Sequence, residues 1–152
     1  MFAAVAYLVV TRSPGWPRVR TTFFNLDVGI EVLPRILEGL LLNLQVLVVG
    51  GLLVLLVGLL VAVMRTLRGP AFAPLRIVAT IYVDLFRGMP LIIVLYLVGF
   101  GLPALRLQGM PTSPFVLGTI AIVVVYAAYV AEVFRAGIES VHPSQRAAAR
   151  SL

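Results

Sequence analysis

Residues 39–64 form an apolar stretch without a single charged side chain, and no other feature of the sequence restricts the fold as strongly. As an α-helix, at 1.5 Å per residue, this stretch would be about 39 Å long. The hydrocarbon core of a bilayer is about 30 Å thick, so a tilted helix of that length crosses it. The sequence therefore predicts a transmembrane helix here. Gly51, Leu55, Gly58 and Ala62 fall on one face, which either lets another helix approach closely or only reflects how common glycine is in membrane helices.

The composition agrees with lipid as the solvent. Of the 152 residues, 61% are hydrophobic and 12% are charged, and the mean hydropathy is +1.09, whereas soluble domains have roughly 45–50% apolar and about 25% charged residues. The arginines are scattered at the ends of apolar runs rather than gathered in a patch, which disfavours nucleic-acid binding.

Catalytic and cofactor chemistry has little support in the sequence. There is no cysteine, and the only histidine is His142, so neither a thiolate nucleophile nor a histidine-rich metal site can be built. A Gly-Lys-Ser/Thr phosphate loop is absent as well. We therefore expect no enzyme activity and no cofactor, and if ATP is used, a separate subunit must bind it.

Residues 1–38 are predicted to form a region distinct from residues 39–152. Residues 1–10 are apolar but too short to span a bilayer, and resemble a truncated helix. Residues 12–20 contain two prolines and a glycine and predict a basic linker. Residues 26–38 predict a short amphipathic helix at the membrane interface.

Two further apolar stretches follow, separated by a proline-rich loop. The first, residues 77–102, contains Pro90, which removes a backbone donor and predicts a break near residues 86–89. The second, residues 115–134, predicts another span. Beyond it the chain becomes polar, and Pro143 suits the first turn of a short basic helix.

Charged side chains occur inside both stretches. Asp84 and Arg87, like Glu132 and Arg135, are three positions apart and so lie on one helical face. Counting about 20 residues back from Pro103 places the first pair at a membrane edge, and the same count places the second pair at the same face. Two interpretations stay open: these residues gate or line a path for a solute, or they form structural ion pairs within or between helices.

Four stretches carry a resemblance to a known family: Gly-Leu-Leu-Leu-Asn-Leu-Gln at 39–45, Phe-Arg-Gly-Met-Pro-Leu at 86–91, Phe-Gly-Leu-Pro at 100–103, and residues 129–152. In them the chain resembles the permease subunits of bacterial ABC importers for polar amino acids, of the histidine, arginine, glutamine and glutamate type.

The resemblance implies an all-α integral membrane protein. Residues 39–152 would hold three core transmembrane helices of the type I ABC importer permease fold, with the truncated helix at the N-terminus as a further candidate. The domain would be incomplete at its C-terminal end, because the chain stops at Leu152 within the family's coupling loop.

The resemblance also implies the partners and the location. The permease would lie in the bacterial inner membrane as a multi-pass subunit of an ATP-driven amino-acid importer, forming part of the translocation path. It would pair with a second, identical or different permease, receive solute from an extracytoplasmic binding protein, and couple to a cytoplasmic ATPase. In the coupling loop Gly137 and Pro143 would shape the lever, and Ala147 and Ala148 would form its contact surface.

Two other functions remain as alternatives at this stage. The chain could be a membrane scaffold or assembly subunit without transport activity, in which the break at Pro90 is only a packing kink. It could also be a fragment of a transporter that an ion gradient drives, in which case transport would survive loss of an ATPase.

Overall fold

A computed structural model describes the chain from residue 1 to residue 151, except for the side chains of Pro143, Arg146, Ala147 and Arg150. The fold is 83% helical, with no strand in the described residues. The helices are α1 (Phe2–Thr11), α2 (Trp16–Phe23), α3 (Leu26–Thr66), α4 (Ala73–Gly88), α5 (Leu91–Tyr96), α6 (Leu102–Ala104), α7 (Pro114–Glu139) and α8 (Pro143–Arg150); a 3-10 turn (Pro70–Phe72) precedes α4 and a π-helical turn (Leu97–Gly101) joins α5 to α6.

The contacts divide the chain into two units, Met1–Leu42 and the residues from Asn43 onwards. The first unit has no buried residue, and its aromatic contact is between Trp16 and Phe24, with ring centroids 6.1 Å apart. The predicted basic linker is wrong in extent. Helix α2 begins inside it at Trp16, because Pro17 in the first turn has a φ that suits a helix start and needs no hydrogen-bond partner.

The predicted short interfacial helix at residues 26–38 is not a separate element. Helix α3 runs without a break from Leu26 to Thr66 and contains Pro34. Asn25 caps its start, since Asn25 Oδ1 accepts hydrogen bonds from the backbone N–H groups of Asp27 at 3.1 Å and Val28 at 3.3 Å. A change from amphipathic to apolar sequence moves a helix from the membrane interface into the hydrocarbon core, but it does not end the helix.

Small side chains form the centre of the second unit. Buried alanines at positions 62, 79, 128 and 131 bring α3, α4 and α7 together, with Val61 and Val83 among them. The close approach requires glycine at position 58, because a Cβ there would lie 2.8 Å from Val130 Cγ1. The predicted contact face on α3 is half right: Gly58 and Ala62 are buried, whereas Gly51 faces open space and Leu55 is 51% exposed.

The predicted break at Pro90 is confirmed. Helix α4 ends at Gly88, Met89 is extended with φ −98° and ψ 135°, and Pro90 precedes α5. The helices on the two sides of the break are bent by 105°. A proline disfavours helical geometry in the residue before it, which explains the extended Met89.

By length and composition, two helical segments among the described residues can cross a membrane, those containing α3 and α7, and a third can if the bent pair of segments around Pro90 is one span. Large apolar side chains on α3, such as Leu47, Leu56 and Leu60, are 60–67% exposed, as expected for contact with lipid. The count of about 20 residues back from Pro103, which placed Asp84 and Arg87 at a membrane edge, assumed a straight helix. The bend of 105° means that this assumption does not hold.

Candidate functional site

Three helices bring charged side chains together near their C-terminal ends. Arg65 lies in the last turn of α3 and Arg87 in the last turn of α4, where a positive charge complements the negative end of the helix dipole. Glu132 and Arg135 lie two turns or less from the end of α7. We call Arg65, Arg87, Glu132 and Arg135 the Glu132 cluster.

The carboxylate of Glu132 is the centre of this cluster. Its Oε2 accepts a hydrogen bond from Arg65 Nη1 at 2.5 Å and lies 3.8 Å from Arg87 Nη1, while its Oε1 accepts from Arg135 Nη2. The side chains of Arg65 and Glu132 are only 13% and 25% exposed. One carboxylate therefore connects guanidinium groups from three helices in a partly desolvated position, where charge-assisted hydrogen bonds are strong.

Arg135 extends the cluster along α7. Its Nη1 donates to Glu139 Oε2 at 2.6 Å, and the Glu139 side chain is 54% exposed. Its Nε is buried and has no hydrogen-bond partner within the described residues. The three arginines thus face two carboxylates, which leaves the helix ends with a positive balance.

Two tyrosines hold α4 against α7 beside the cluster. Tyr82 donates to the backbone carbonyl of Val124 at 2.7 Å, and Tyr129 donates to the carbonyl of Arg87 at 3.1 Å. The Arg87 guanidinium also lies 5.7 Å from the centre of the Tyr129 ring, within the range of a cation–π contact. The position of Arg87 is therefore set by α7 as well as by α4.

The structure brings together three of the four charged residues singled out from the sequence. Arg87 approaches Glu132, and Glu132 pairs with Arg135 as their spacing allows. Asp84 stays apart: its side chain is exposed, and its carboxylate forms no hydrogen bond or ion pair with any residue that the structure describes. A local pair between Asp84 and Arg87 is therefore not formed.

Sequence reasoning missed Arg65 as a member of the cluster. Arg65 directly follows the charge-free stretch at residues 39–64, and that position alone indicates no partner. Arg65 and Glu132 are 67 residues apart, and no periodicity connects residues on different helices. The signal that could have pointed to Arg65 is the unbalanced carboxylate of Glu132 near the end of a neighbouring span.

The segment singled out for coupling begins in the last turn of α7. Gly137 lies there, and a Cβ at this position would meet nothing within 4 Å. Helix α8 begins at Pro143, as predicted, and His142 caps it by accepting from the backbone N–H of Ser144 at 3.3 Å. Ala148 is exposed, whereas the side chains of Pro143 and Ala147 lie outside the described residues.

Ligand-binding groups of other kinds are sparse. Within residues 1–151 no three histidine, aspartate or glutamate side chains come close enough to hold a metal ion. The chemistry that the described residues offer near the helix ends is therefore that of guanidinium groups, carboxylates and hydroxyls.

Comparison with known proteins finds relatives that share most of this chain. The chain is 35% identical over 130 residues to the arginine transport system permease protein ArtQ of Bacillus subtilis, covering 84% of this chain and 57% of ArtQ. It is 36% identical over 128 residues to the glutamate/aspartate import permease protein GltK of Escherichia coli, covering 81% of the chain and 56% of GltK. The chain thus spans somewhat more than half the length of these relatives. No family model matches it.

A solved structure shows the same fold. The crystal structure of an amino acid ABC transporter with histidines superimposes with a TM-score of 0.69 at 33% identity, covering 82% of this chain and 55% of the other.

The helices that can span a membrane, together with these relatives and the shared fold, identify a membrane protein of the ABC permease class. More narrowly, over the region that it shares with these relatives, the chain belongs to the family of amino-acid ABC transporter permeases.

Proposed function

We propose that the chain forms part of the translocation path of an ATP-driven amino-acid importer in the bacterial inner membrane. The observation that carries the proposal is the match, over more than four fifths of the chain, to proteins named as arginine and glutamate/aspartate permeases. The fold of the solved amino acid transporter supports it independently of those names. The partners of such a permease are a cytoplasmic ATPase, a second permease subunit and an extracytoplasmic solute-binding protein.

The connection between α7 and α8 suits coupling to the ATPase. Residues 140–142 join the two helices, so a push on α8 reaches the end of α7 through a short connection. The described side chains of α8, including Ser144, Gln145 and Ala148, are exposed, which leaves that surface accessible to a partner. Small residues at the contact allow close docking.

The Glu132 cluster gives this push a route into the other helices. Glu132 lies on α7 two turns before its end, and its carboxylate connects to Arg65 on α3 and lies near Arg87 on α4. We assign the cluster a structural role that makes the three helix ends move together, rather than contact with the solute. This choice rests on the partners of Glu132 among the described residues, which are all arginines.

Cross-linking tests the coupling proposal directly. Because the chain contains no cysteine, single cysteines are free of background, and the test uses Ala148→Cys in cells that also produce the partner ATPase. The matched control is Ser113→Cys, which lies just before α7, at its other end. We expect a covalent adduct with the ATPase from position 148 and none from position 113. Equal capture from both positions, or none from position 148, would refute the assignment of α8.

An uptake measurement separates this function from the two alternatives. Cells that produce the chain with its partners should accumulate a labelled amino acid, and an ATPase variant unable to hydrolyse ATP should abolish the uptake. Uptake that persists with this variant but stops when the ion gradient is collapsed would identify an ion-driven transporter. Membrane insertion without uptake of any amino acid would favour the scaffold function.

A further inference from the structure

A groove opens beside the Glu132 cluster. It lies between the C-terminal ends of α3 and α7 and the first half of α4 and has a volume of about 360 Å³, a size that suits a small ligand or headgroup. Its polar lining consists of Arg65, Arg76, Thr80, Arg135 and Glu139. Three guanidinium groups thus face one space together with a hydroxyl and a single carboxylate.

The groove has hydrogen-bond donors left over after its internal contacts are made. Arg76 Nη1 donates to the backbone carbonyls of Leu67 and Gly69, both at 2.9 Å, which holds the guanidinium in place. The other nitrogens of Arg76 and the Thr80 hydroxyl have no partner among residues 1–151. The guanidinium groups of Arg65, Arg76 and Arg135 also carry more positive charge than the carboxylates of Glu132 and Glu139 cancel.

The same groove has an apolar side. Ile77 and Ile81 lie one turn apart on α4, line the groove, and are both 59% exposed. Ile81 lies about 7.5 Å further along the helix from Arg76, at 1.5 Å per residue. A ligand that fits must therefore carry a negative charge at the helix ends and an apolar part along α4.

We propose that this groove binds an anionic phospholipid, with the headgroup phosphate between Arg65 and Arg76 and an acyl chain along Ile77 and Ile81. Guanidinium groups match phosphate oxygens in geometry and charge, and Thr80 donates a further hydrogen bond. Basic pockets between transmembrane helices are a known way of holding such headgroups. The inference requires only that the chain lies in a membrane, and does not depend on the transport proposal.

Native mass spectrometry of the purified chain tests the lipid site. The chain is titrated with phosphatidylglycerol and, separately, with phosphatidylcholine of the same acyl chains. We expect tighter binding of phosphatidylglycerol and a loss of about fivefold in its affinity in Arg76→Gln, the usual effect of one basic residue on binding to anionic lipid. The matched control is Arg68→Gln, which removes one charge from the loop just before α4, outside the groove, and should leave the affinity unchanged.

A second variant guards against misfolding of the first, since Arg76 also holds the loop carbonyls. Thr80→Val keeps every charge and nearly the same volume, and should weaken phosphatidylglycerol binding without changing the helical content of the chain. Equal losses in Arg68→Gln and Arg76→Gln would mean a diffuse attraction and overturn the site. Displacement of the lipid by millimolar inorganic phosphate would identify a free anion as the ligand and overturn the lipid proposal.

Discussion

Removing the charge of Glu132 is the sharpest test of how the helix ends are held together. Glu132→Gln keeps the shape of the side chain but leaves Arg65 and Arg87 without a counter-ion and Arg135 with Glu139 alone. Breaking a fully buried pair costs about 3–5 kcal/mol, and exposed pairs contribute about 0–1 kcal/mol. With Arg65 13% and Glu132 25% exposed, the contacts fall between these limits, and we expect a loss of about 2–3 kcal/mol in the free energy of unfolding.

The assay is a titration of the purified chain with sodium dodecyl sulfate in mixed micelles, followed by circular dichroism. Circular dichroism is preferred to fluorescence because the single tryptophan, Trp16, lies in the unit Met1–Leu42. The matched control is Glu139→Gln. Glu139 is 54% exposed and pairs only with Arg135 among the described residues, so its loss should cost less than about 1 kcal/mol.

A double substitution adds an internal check. Arg65→Gln leaves Glu132 paired with Arg135, and combining it with Glu132→Gln should cost less than the sum of the two single changes, because both remove the same contact. Equal effects of Glu132→Gln and Glu139→Gln, or strict additivity of the double variant, would refute the view that the Glu132 cluster joins the helices.

Three further substitutions, the first with a matched control, test the packing and the coupling segment. Gly58→Ala should lower the free energy of unfolding by about 1–3 kcal/mol through overpacking against Val130, whereas Gly51→Ala, which meets open space, should be neutral or stabilise by up to about 1 kcal/mol; equal effects in the same titration would contradict the close approach. Tyr82→Phe should cost about 0.5–1.5 kcal/mol by losing its bond to α7, and an unchanged transition would mean that the bond contributes nothing. Gly137→Ala has room for its methyl group and should leave the fold intact while lowering amino-acid uptake. Unchanged uptake would argue against the proposed role of Gly137 in shaping the coupling lever.

Much of the fold follows from local sequence. The charge-free stretch at residues 39–64 and the apolar residues 115–134 predicted helices that the structure contains, because hydropathy and length decide whether a helix suits lipid. Pro90 and Pro143 predicted a break and a helix start at the correct residues, because the ring constrains the backbone at the proline itself and the residue before it. These effects act within a few residues and need no knowledge of the fold.

The errors near the N-terminus have a local cause too. The prolines at 14 and 17 were interpreted as marks of a linker, although a proline in the first turn is compatible with a helix, as α2 demonstrates. The end of the amphipathic pattern at Glu38 was interpreted as a helix boundary, although nothing there removes a backbone hydrogen bond.

By itself, the sequence determined the class of the protein, the position of its apolar helices, the break in the second stretch and the charged residues worth examining. The tertiary structure alone decided which of them meet. A helical period of 3.6 residues relates Glu132 to Arg135 on one helix, but the contact with Arg65 depends on how α3 is rotated against α7, and that rotation is set by the close approach at Gly58. The same packing leaves Asp84 exposed and outside the cluster, because the partner of a charge in a bundle is chosen by helix packing and not by distance along the chain.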